Sequence, residues 1–268
     1  MTTPIDMFQA GNLIDAIAAT TETVRSKPTD VKARSLLSEL LCFAGEFERA
    51  DKQLDAALQT DPQTMTGVML LRHLIRSELS RREAFRQGRV PEFLAMPTAA
   101  QTKRLEALLC LRTGQFADAG RIAGEAAGLD PELRGEVNGT AFSEFRDLDD
   151  LLGPTLEVYT ATGKYYWIGF EQIVSLEFSA VTHLSDMLWR AAAIETVGDV
   201  SGRVHVPALY EGSEKSTDQR IRIGRATEWL QAGPSAPTQG AGQREFLVND
   251  EVMSIMEISK LSFQNPVG

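Results

Sequence analysis

Residues 31–63, VKARSLLSELLCFAGEFERADKQLDAALQTDPQ, decide the fold of this chain. The stretch predicts two helices joined at Gly45, a helical hairpin of the tetratricopeptide type. Small residues such as Ala50 and Ala57 let the two helices approach closely, and leucines fill the groove between them. Gly45 falls at the turn, where a positive φ costs glycine little. Because one hairpin cannot bury its own apolar face, the pattern predicts neighbouring hairpins.

The same pattern recurs on both sides of this hairpin. GNL at residues 11–13 and GQF at residues 114–116 are equivalent turns, and each precedes a second helix. Residues 65–88 carry apolar side chains on one helical stripe and predict a divergent helical unit. Residues 1–135 are therefore predicted to be a tetratricopeptide-like helical repeat domain with one concave side. A plain helical bundle is the alternative.

The composition is that of an ordinary globular chain, with 268 residues, 43% hydrophobic and 24% charged. A formal net charge of −10 argues against nucleic-acid and anionic-membrane partners, because both require a basic surface. No apolar run approaches membrane-spanning length, and the N-terminal residues do not resemble a signal peptide. Cys42 and Cys110 lie in helical patterns and are expected to be reduced and structural. The expected location is the cytoplasm.

The second half of the chain contains all three tryptophans and all four tyrosines, a composition that favours sheet. Hairpins are predicted within residues 156–170, around GDVSG at 198–202, and within residues 244–263. Successive hairpins imply a mostly antiparallel sheet. Residues 136–268 are therefore predicted to be a small α+β domain, and the fold class is α+β in two parts.

The two predicted domains meet at residues 143–154, SEFRDLDDLLGP. Phe145, Leu148 and Leu152 recur at helical spacing, and the Gly-Pro pair that follows would stop a helix. We therefore expect a short helix at the junction.

The acidic cluster Asp147, Asp149 and Asp150 within this junction is the strongest candidate for chemistry. On a helix Asp147 and Asp150 would share one face, as a carboxylate pair for a hard cation would. No oxygen-rich loop accompanies them. The alternative to a metal site is that these carboxylates are solvated or paired with an arginine, such as Arg146 or Arg190.

The sequence predicts no catalytic residue, no metal site and no cofactor. It lacks the G-x-S-x-G turn of a serine nucleophile and the glycine pattern of a phosphate-binding loop. The three histidines, His73, His183 and His205, lie at no metal-ligand spacing from another His or Cys. His205 alternates with two valines in a predicted strand and is expected to be a structural or surface residue. We therefore expect that the chain is not an enzyme.

The predicted repeats are suited to binding a peptide, because the first helix of each tetratricopeptide unit lines the concave face. Mixed apolar and charged side chains on that face suit an amphipathic helix laid in a groove. The alternative for any one of these side chains is that it packs on the C-terminal domain or faces solvent. The predicted groove residues are Lys32, Ser35, Glu39, Phe43, Gln101, Arg104, Leu108 and Arg112.

Five strings in the second half resemble, in their order, the ImpE (SciE, TagJ) family of type VI secretion accessory proteins. The resemblance runs through most of residues 140–263, and the predicted N-terminal repeats agree with the helical half of that family. The strings are LLGPTLEVYTATGKYYWIGFEQIVSLEF, DMLWR, GDVSGRVHVPALYEGS, IRIGRATEW and GQREFLVND.

This resemblance implies a cytoplasmic, non-enzymatic component of the contractile secretion machine. The TagJ members bind the small sheath subunit TssB through its N-terminal helix, which bears on sheath assembly or on handling by the disassembly ATPase. The implied partners are TssB, the TssB–TssC sheath complex and, indirectly, the ClpV ATPase. The family does not assign the helix-binding residues.

Several alternatives stay open at this point. One is a generic tetratricopeptide scaffold or co-chaperone that binds another peptide. A less favoured one is a metal-dependent enzyme built on the acidic cluster and His205. Self-association into a homo-oligomer is also open, because an incompletely capped repeat stack often hides its end in this way.

Overall fold

A computed structural model describes residues 2–198 and 200–264 of the chain. Asp199 of the predicted 198–202 turn, and residues 265–268 of the predicted C-terminal domain, lie outside the described residues. As predicted, the first half is helical. Its helices are α1 (Pro4–Gln9), α2 (Leu13–Ser26), α3 (Val31–Phe43), α4 (Phe47–Thr60), α5 (Met65–Gln87), α6 (Ala99–Arg112) and α7 (Phe116–Ala127).

The three glycine turns predicted from the sequence are confirmed. Gly11, Gly45 and Gly114 have φ values of 91°, 73° and 75°, and the following helix begins two residues later in each case. These turns join α1 to α2, α3 to α4 and α6 to α7, and the two helices of each pair pack against one another. The helical half is therefore a row of hairpins, while its assignment to the tetratricopeptide type stays a prediction.

Helix α5 is a single unbroken helix of 23 residues, about 35 Å long. It begins after a short 3₁₀ turn at Pro62–Thr64 and ends at Gly88, whose left-handed conformation caps it. No second helix pairs with it as a hairpin, because a loop follows and leads to α6. This helix contacts α4 on one side and strands of the second half of the chain on another.

The second half is built from antiparallel sheets, as predicted. The largest sheet has eight strands in the order β2-β1-β13-β6-β7-β8-β4-β5, and two smaller sheets have the orders β12-β11-β3 and β10-β9. The predicted hairpins correspond to the pairs β4–β5, β7–β8 and β11–β12. The strands are β1 (Gly135–Val137), β2 (Thr140–Phe142), β3 (Phe145–Asp147), β4 (Thr155–Thr160), β5 (Tyr165–Gly169), β6 (Ile173–Phe178), β7 (Trp189–Thr196), β8 (Ser201–Pro207), β9 (Thr227–Leu230), β10 (Gln239–Gly242), β11 (Glu245–Val248), β12 (Glu251–Ser254) and β13 (Lys260–Phe263), with a four-residue helix α8 (Gln219–Arg222) before β9.

The predicted helix at residues 143–154 is wrong. Phe145–Asp147 forms β3 and pairs with β11, and a turn continues to Gly153. The ring of Phe145 stacks on Phe246, with 5.2 Å between the ring centroids. The local apolar spacing was compatible with a helix, but pairing with a strand about a hundred residues away decides the structure.

The two halves share a hydrophobic core. Phe43 of α3 and Leu74 of α5 belong to the same buried cluster as Trp167, Trp189 and Tyr210 of the sheet half. A second cluster lies within the sheet half and contains Phe145 and its neighbouring rings. The sheet half therefore packs against α3 and α5 of the helical half. In the described part of the chain no helix is long and apolar enough to cross a membrane.

Candidate functional site

A groove runs along the N-terminal half of α5, between this helix and the segment that precedes β7. Its inner part is a cleft of about 400 Å³ whose apolar wall includes Val68, Leu70, Leu71 and Leu74 of α5. Its outer part, about 540 Å³, continues past Met69. Both parts share Leu70, Asp186 and His205 as lining residues. We call the two clefts together the α5 groove.

The opposite rim of the α5 groove is polar. Ser35 and Glu39, one turn apart on α3, line it together with His183 and Asp186. The carboxylate of Asp186 accepts the backbone N–H groups of Thr182 (2.7 Å) and His183 (2.8 Å). These bonds cap a single 3₁₀ turn, Leu184–Met187, and so fix the rim.

Glu39 is a half-buried carboxylate on this rim. It accepts a hydrogen bond of 3.0 Å from the Ser185 hydroxyl, and no lysine or arginine of the described residues forms a salt bridge with it. Burial raises the pKa of Glu39, and the hydrogen bond from Ser185 opposes this rise. The rim therefore holds a carboxylate whose charge is incompletely compensated by its own chain.

His205 lies on the wall of the α5 groove, at 5% exposure. Its Nδ1 is buried and has no hydrogen-bond partner among the described residues. Burial lowers the pKa of His205, so the ring is neutral near pH 7. The sequence predicted a structural or surface histidine. In the structure His205 is buried, and its Nδ1 atom forms no hydrogen bond with the described residues.

Beneath the groove, α5 is joined to the sheet half by buried ion pairs, which we call the ionic core. The guanidinium of Arg81 donates two hydrogen bonds to Glu157 of β4, at 2.8 and 2.7 Å. Arg244 donates to the same carboxylate and lies 3.5 Å from Asp147, measured from Nε to Oδ2. Glu157, Arg244 and Asp147 are fully buried.

The ionic core extends to the floor of the groove through Glu78. Its carboxylate accepts hydrogen bonds from the Tyr159 hydroxyl (2.6 Å) and from the Trp189 indole (3.1 Å). Trp189 is also a lining residue of the groove. The position of the groove floor is therefore fixed by the same contacts that hold α5 on the sheet.

Opposite charges keep the central carboxylate of the ionic core ionised. Burial alone would raise the pKa of Glu157, but the guanidinium groups of Arg81 and Arg244 outweigh it and lower the pKa to about 2. Coulomb attraction at these distances in a region without water is strong enough to produce such a shift. At neutral pH, Glu157 is an anion between two cations.

The eight predicted groove residues divide into two groups. Phe43, Gln101, Arg104 and Leu108 are buried inside the chain. Arg104, for instance, donates to Asp130 (2.7 Å) and to the backbone oxygen of Asp150 (3.2 Å). The alternative of packing within the chain therefore applies to these four.

The other four predicted groove residues keep some exposure. Ser35 and Glu39 line the α5 groove, Lys32 is exposed one helical turn further along α3, and Arg112 donates to the backbone oxygen of Ala84 at 3.2 Å. The structure thus brings Ser35 and Glu39 together with α5 and does not bring them together with the α6 residues. Contact of any of these residues with a partner stays a prediction.

The acidic cluster has a structural role in this fold. Asp149 accepts the N–H groups of Leu151 (2.9 Å) and Gly240 (3.0 Å), and Asp150 accepts the N–H of Thr238 (2.7 Å). The predicted helical face shared by Asp147 and Asp150 does not exist, because Asp147 lies in β3. Within residues 2–198 and 200–264 no group of His, Cys, Asp and Glu is arranged to hold a metal ion.

Arg244, which the sequence analysis did not single out, pairs with the carboxylate of Asp147. Of the two arginines considered there, Arg190 instead donates to backbone carbonyls, including that of Ile258 at 2.9 Å. Burial raises the pKa of Asp147 to about 6, with the Arg244 charge opposing the rise. Burial and then the nearby Asp147 charge raise the pKa of Asp149 to about 8.

The ionic core was not predicted from the sequence, although α5 carried a signal for it. Glu78 and Arg81 continue the apolar stripe of Leu71 and Leu74 at spacings of three and four residues. A charged residue on a buried stripe needs a partner of opposite charge. Glu157, in the otherwise apolar strand β4, was the matching signal.

Comparisons with known proteins agree with the resemblance stated from the sequence. The sequence profile described as ImpE protein matches residues 139–262. The chain is 29% identical, over 259 residues, to the type VI secretion system accessory component TagJ of Pseudomonas aeruginosa, covering 97% of this chain and 90% of that protein. The resemblance to the ImpE family is therefore confirmed.

A solved structure has the same fold over nearly the whole chain. The crystal structure of protein VPA1032 from Vibrio parahaemolyticus superimposes with a TM-score of 0.90 at 26% sequence identity, and 97% of each chain is covered. The helical half and the sheet half thus occur together, as one arrangement, in a second protein.

Proposed function

We propose, on the premise of this confirmed resemblance to the ImpE family, that the chain is a non-enzymatic accessory protein of type VI secretion. In this proposal its α5 groove captures the N-terminal helix of the small sheath subunit TssB. The relative named TagJ, similar along nearly the whole chain, supports the secretion role. The groove supports the mode of binding.

The single observation that carries the proposal is the apolar wall of α5, in which Leu70 and Leu71 are partly exposed and Val68 and Leu74 are buried. Val68, Leu70, Leu71 and Leu74 face a cleft with a polar rim, which is the arrangement that receives the apolar face of an amphipathic helix. Met69, 40% exposed, extends the apolar surface outward. Methionine adapts well to a partner's side chains. Of the predicted groove residues, Ser35 and Glu39 are the proposed contacts.

Capture of this helix would modulate the contractile sheath. A TssB helix held in the groove is withheld from other contacts within the TssB–TssC complex, so binding would affect sheath assembly or disassembly. Handling of the sheath by ClpV would then be affected indirectly. The effect on the sheath follows from competition for one helix and needs no catalytic residue.

The direct test is a binding measurement with the purified chain and the TssB–TssC pair. We expect binding to full-length TssB and loss of binding when its N-terminal helix is deleted. Unchanged binding after the deletion would contradict the proposed mode. A peptide ending in a free C-terminal tail serves as a comparison, since preference for it would favour a generic tetratricopeptide co-chaperone.

A variant of the groove wall tests the location. Leu70→Asp places a charge on the wall that both clefts share, and we expect it to weaken binding by about 2 kcal/mol or more. Leu79→Asp is the matched control, because Leu79 lies on the same helix, half a turn around, and is 44% exposed. Equal affinities of the two variants, both correctly folded by circular dichroism, would exclude the α5 groove.

A further inference from the structure

The polar rim of the α5 groove has an excess of negative charge that faces the space a partner would occupy. Glu39 and Asp186 both line the inner cleft. The Glu39 carboxylate accepts a hydrogen bond from Ser185, and the Asp186 carboxylate accepts hydrogen bonds from Thr182 and His183. Among the described residues no salt bridge from lysine or arginine reaches either group.

The positive groups nearby are poorly placed to neutralise this rim. Lys32 lies seven residues before Glu39 on α3, about 10 Å along the helix axis, and it points into solvent. Arg190 is committed to backbone carbonyls of the sheet half. His183 is the ionisable base beside the carboxylates, and it is exposed. Arg203 lines the outer cleft together with Asp186, but the inner cleft, which contains Glu39, is lined by no lysine or arginine among the described residues. The inner cleft therefore keeps a negative rim.

His205 adds an independent observation on the opposite wall. It is 5% exposed and lines both clefts, yet its Nδ1 has no hydrogen-bond partner in the part of the chain that the structure describes. A buried polar atom without a partner is costly. Nδ1 is closed to solvent, so a ligand group forms a hydrogen bond with it only if the imidazole ring turns toward the groove.

We propose that the rim formed by Glu39 and Asp186 receives a lysine or arginine side chain of the bound helix, and that this cation determines which helices the groove accepts. The inference rests on the function proposed above and names the chemistry of its partner. A helix with only apolar and acidic side chains on this face would cover Glu39 without compensating its charge, which is unfavourable. Rejection of such helices gives specificity.

The geometry also places the cation within the partner's helix. The apolar wall belongs to α5, whereas the two carboxylates belong to α3 and to the 3₁₀ turn Leu184–Met187, so the cation belongs at the edge of the partner's apolar face. On a helix, that position is three or four residues from an apolar anchor. The recognised element is thus an amphipathic helix with a basic residue one turn from a large apolar residue.

The experiment is a charge exchange between the chain and purified TssB, measured by isothermal titration calorimetry. Glu39→Lys is expected to weaken binding at least tenfold, and Glu39→Gln, which keeps the shape, about threefold to tenfold. In TssB, each lysine and arginine of the N-terminal helix is replaced in turn by glutamate. One such replacement is expected to bind poorly to the wild-type chain and to regain affinity with Glu39→Lys.

Controls separate this inference from the function on which it rests. Glu48→Lys changes the net charge by the same amount at an exposed position of α4, and we expect it to change affinity less than twofold. Wild-type affinity of correctly folded Glu39→Lys and Glu39→Gln, or failure of every TssB replacement to regain affinity, would overturn the inference and leave the proposed function standing. Absence of binding between TssB and the wild-type chain would overturn both.

Discussion

At the scale of single residues, the ionic core is the feature that joins the two halves. Glu157 accepts hydrogen bonds from Arg81 of α5 and from Arg244 of the sheet half. All three side chains are buried, with at most 2% of each side chain exposed. Buried ion pairs contribute little net stability over apolar side chains, but the loss of one member leaves a charge without compensation. The cost therefore appears when one partner is removed.

We predict that Glu157→Gln lowers the free energy of unfolding by about 3 to 5 kcal/mol at pH 7. The substitution keeps the size of the side chain and removes the negative charge, so Arg81 and Arg244 are left buried beside one another. Urea denaturation followed by circular dichroism measures the difference. Glu22→Gln is the control, because Glu22 forms an exposed pair with Arg25 at 3.8 Å and its loss should change stability by at most about 0.5 kcal/mol.

Acid should reduce the difference between wild type and Glu157→Gln. The pKa of Glu157 is lowered from 4.5 to about 2, so its ionised form stabilises the fold above pH 4.5. That stabilisation decreases progressively as the pH falls from 4.5 to about 2, and below this range the wild-type side chain is neutral like glutamine. A difference that stays constant from pH 7 to pH 3 would contradict the role given to this charge.

The residues of the ionic core also show what the sequence could not provide. Glu78 and Arg81 were detectable on the apolar stripe of α5, because helical spacing places them there. Arg244, in contrast, directly precedes the short strand β11. A single charged residue at the start of a strand is usually exposed. Its partners Asp147 and Glu157 are about ninety residues away, and only the strand pairing brings them together.

At the scale of elements, the sequence predicted the turns and hairpins whose structure depends on neighbouring residues. The turns at Gly11, Gly45 and Gly114 were predictable because a positive φ selects glycine. The hairpin β4–β5 was predictable because its strands adjoin a short turn. Residues 143–154 were mispredicted because β3 exists only through its pairing with β11. The cleft beside α5 was not predicted for a similar reason, because it forms only where Asp186 and His205 of the sheet half lie next to this helix.

Helix α7 allows a test of how closely the elements approach. Gly120 packs against the backbone of Ser235, and a Cβ added there would lie 1.7 Å from its oxygen. Gly124, one turn later and exposed, has no atom within 4 Å of the corresponding position. We predict that Gly120→Ala lowers the free energy of unfolding by about 1 to 3 kcal/mol, because the loop must shift.

Gly124→Ala is the matched substitution on the same helix. It should raise the free energy of unfolding by about 0.5 to 1 kcal/mol, since alanine favours the helix and meets no neighbour. Urea denaturation of both variants gives the comparison. Equal stabilisation by both alanines would mean that the loop at Ser235 does not pack on α7 as described.

At the scale of the whole molecule, the two halves of helix α5 have different roles. Its N-terminal half forms the open wall of the proposed binding groove, and its C-terminal half carries Glu78 and Arg81 into the ionic core. Arg82 and Arg86 add salt bridges to Glu214, at 3.1 and 2.7 Å. A partner bound to the first half of the helix therefore contacts an element whose second half is fixed by the sheet.

These connections predict that the two halves unfold together. Because the hydrophobic core and the ionic core both cross from helices to sheet, loss of either half exposes the other. All three tryptophans lie in the sheet half, so their fluorescence reports on it, whereas circular dichroism at 222 nm reports mainly on the helices. We expect the two signals to give coincident urea transitions with one midpoint, as two-state unfolding requires. Two separate midpoints would show that the helical and sheet halves are independent units, and the groove floor would then lose its support when the sheet alone unfolds.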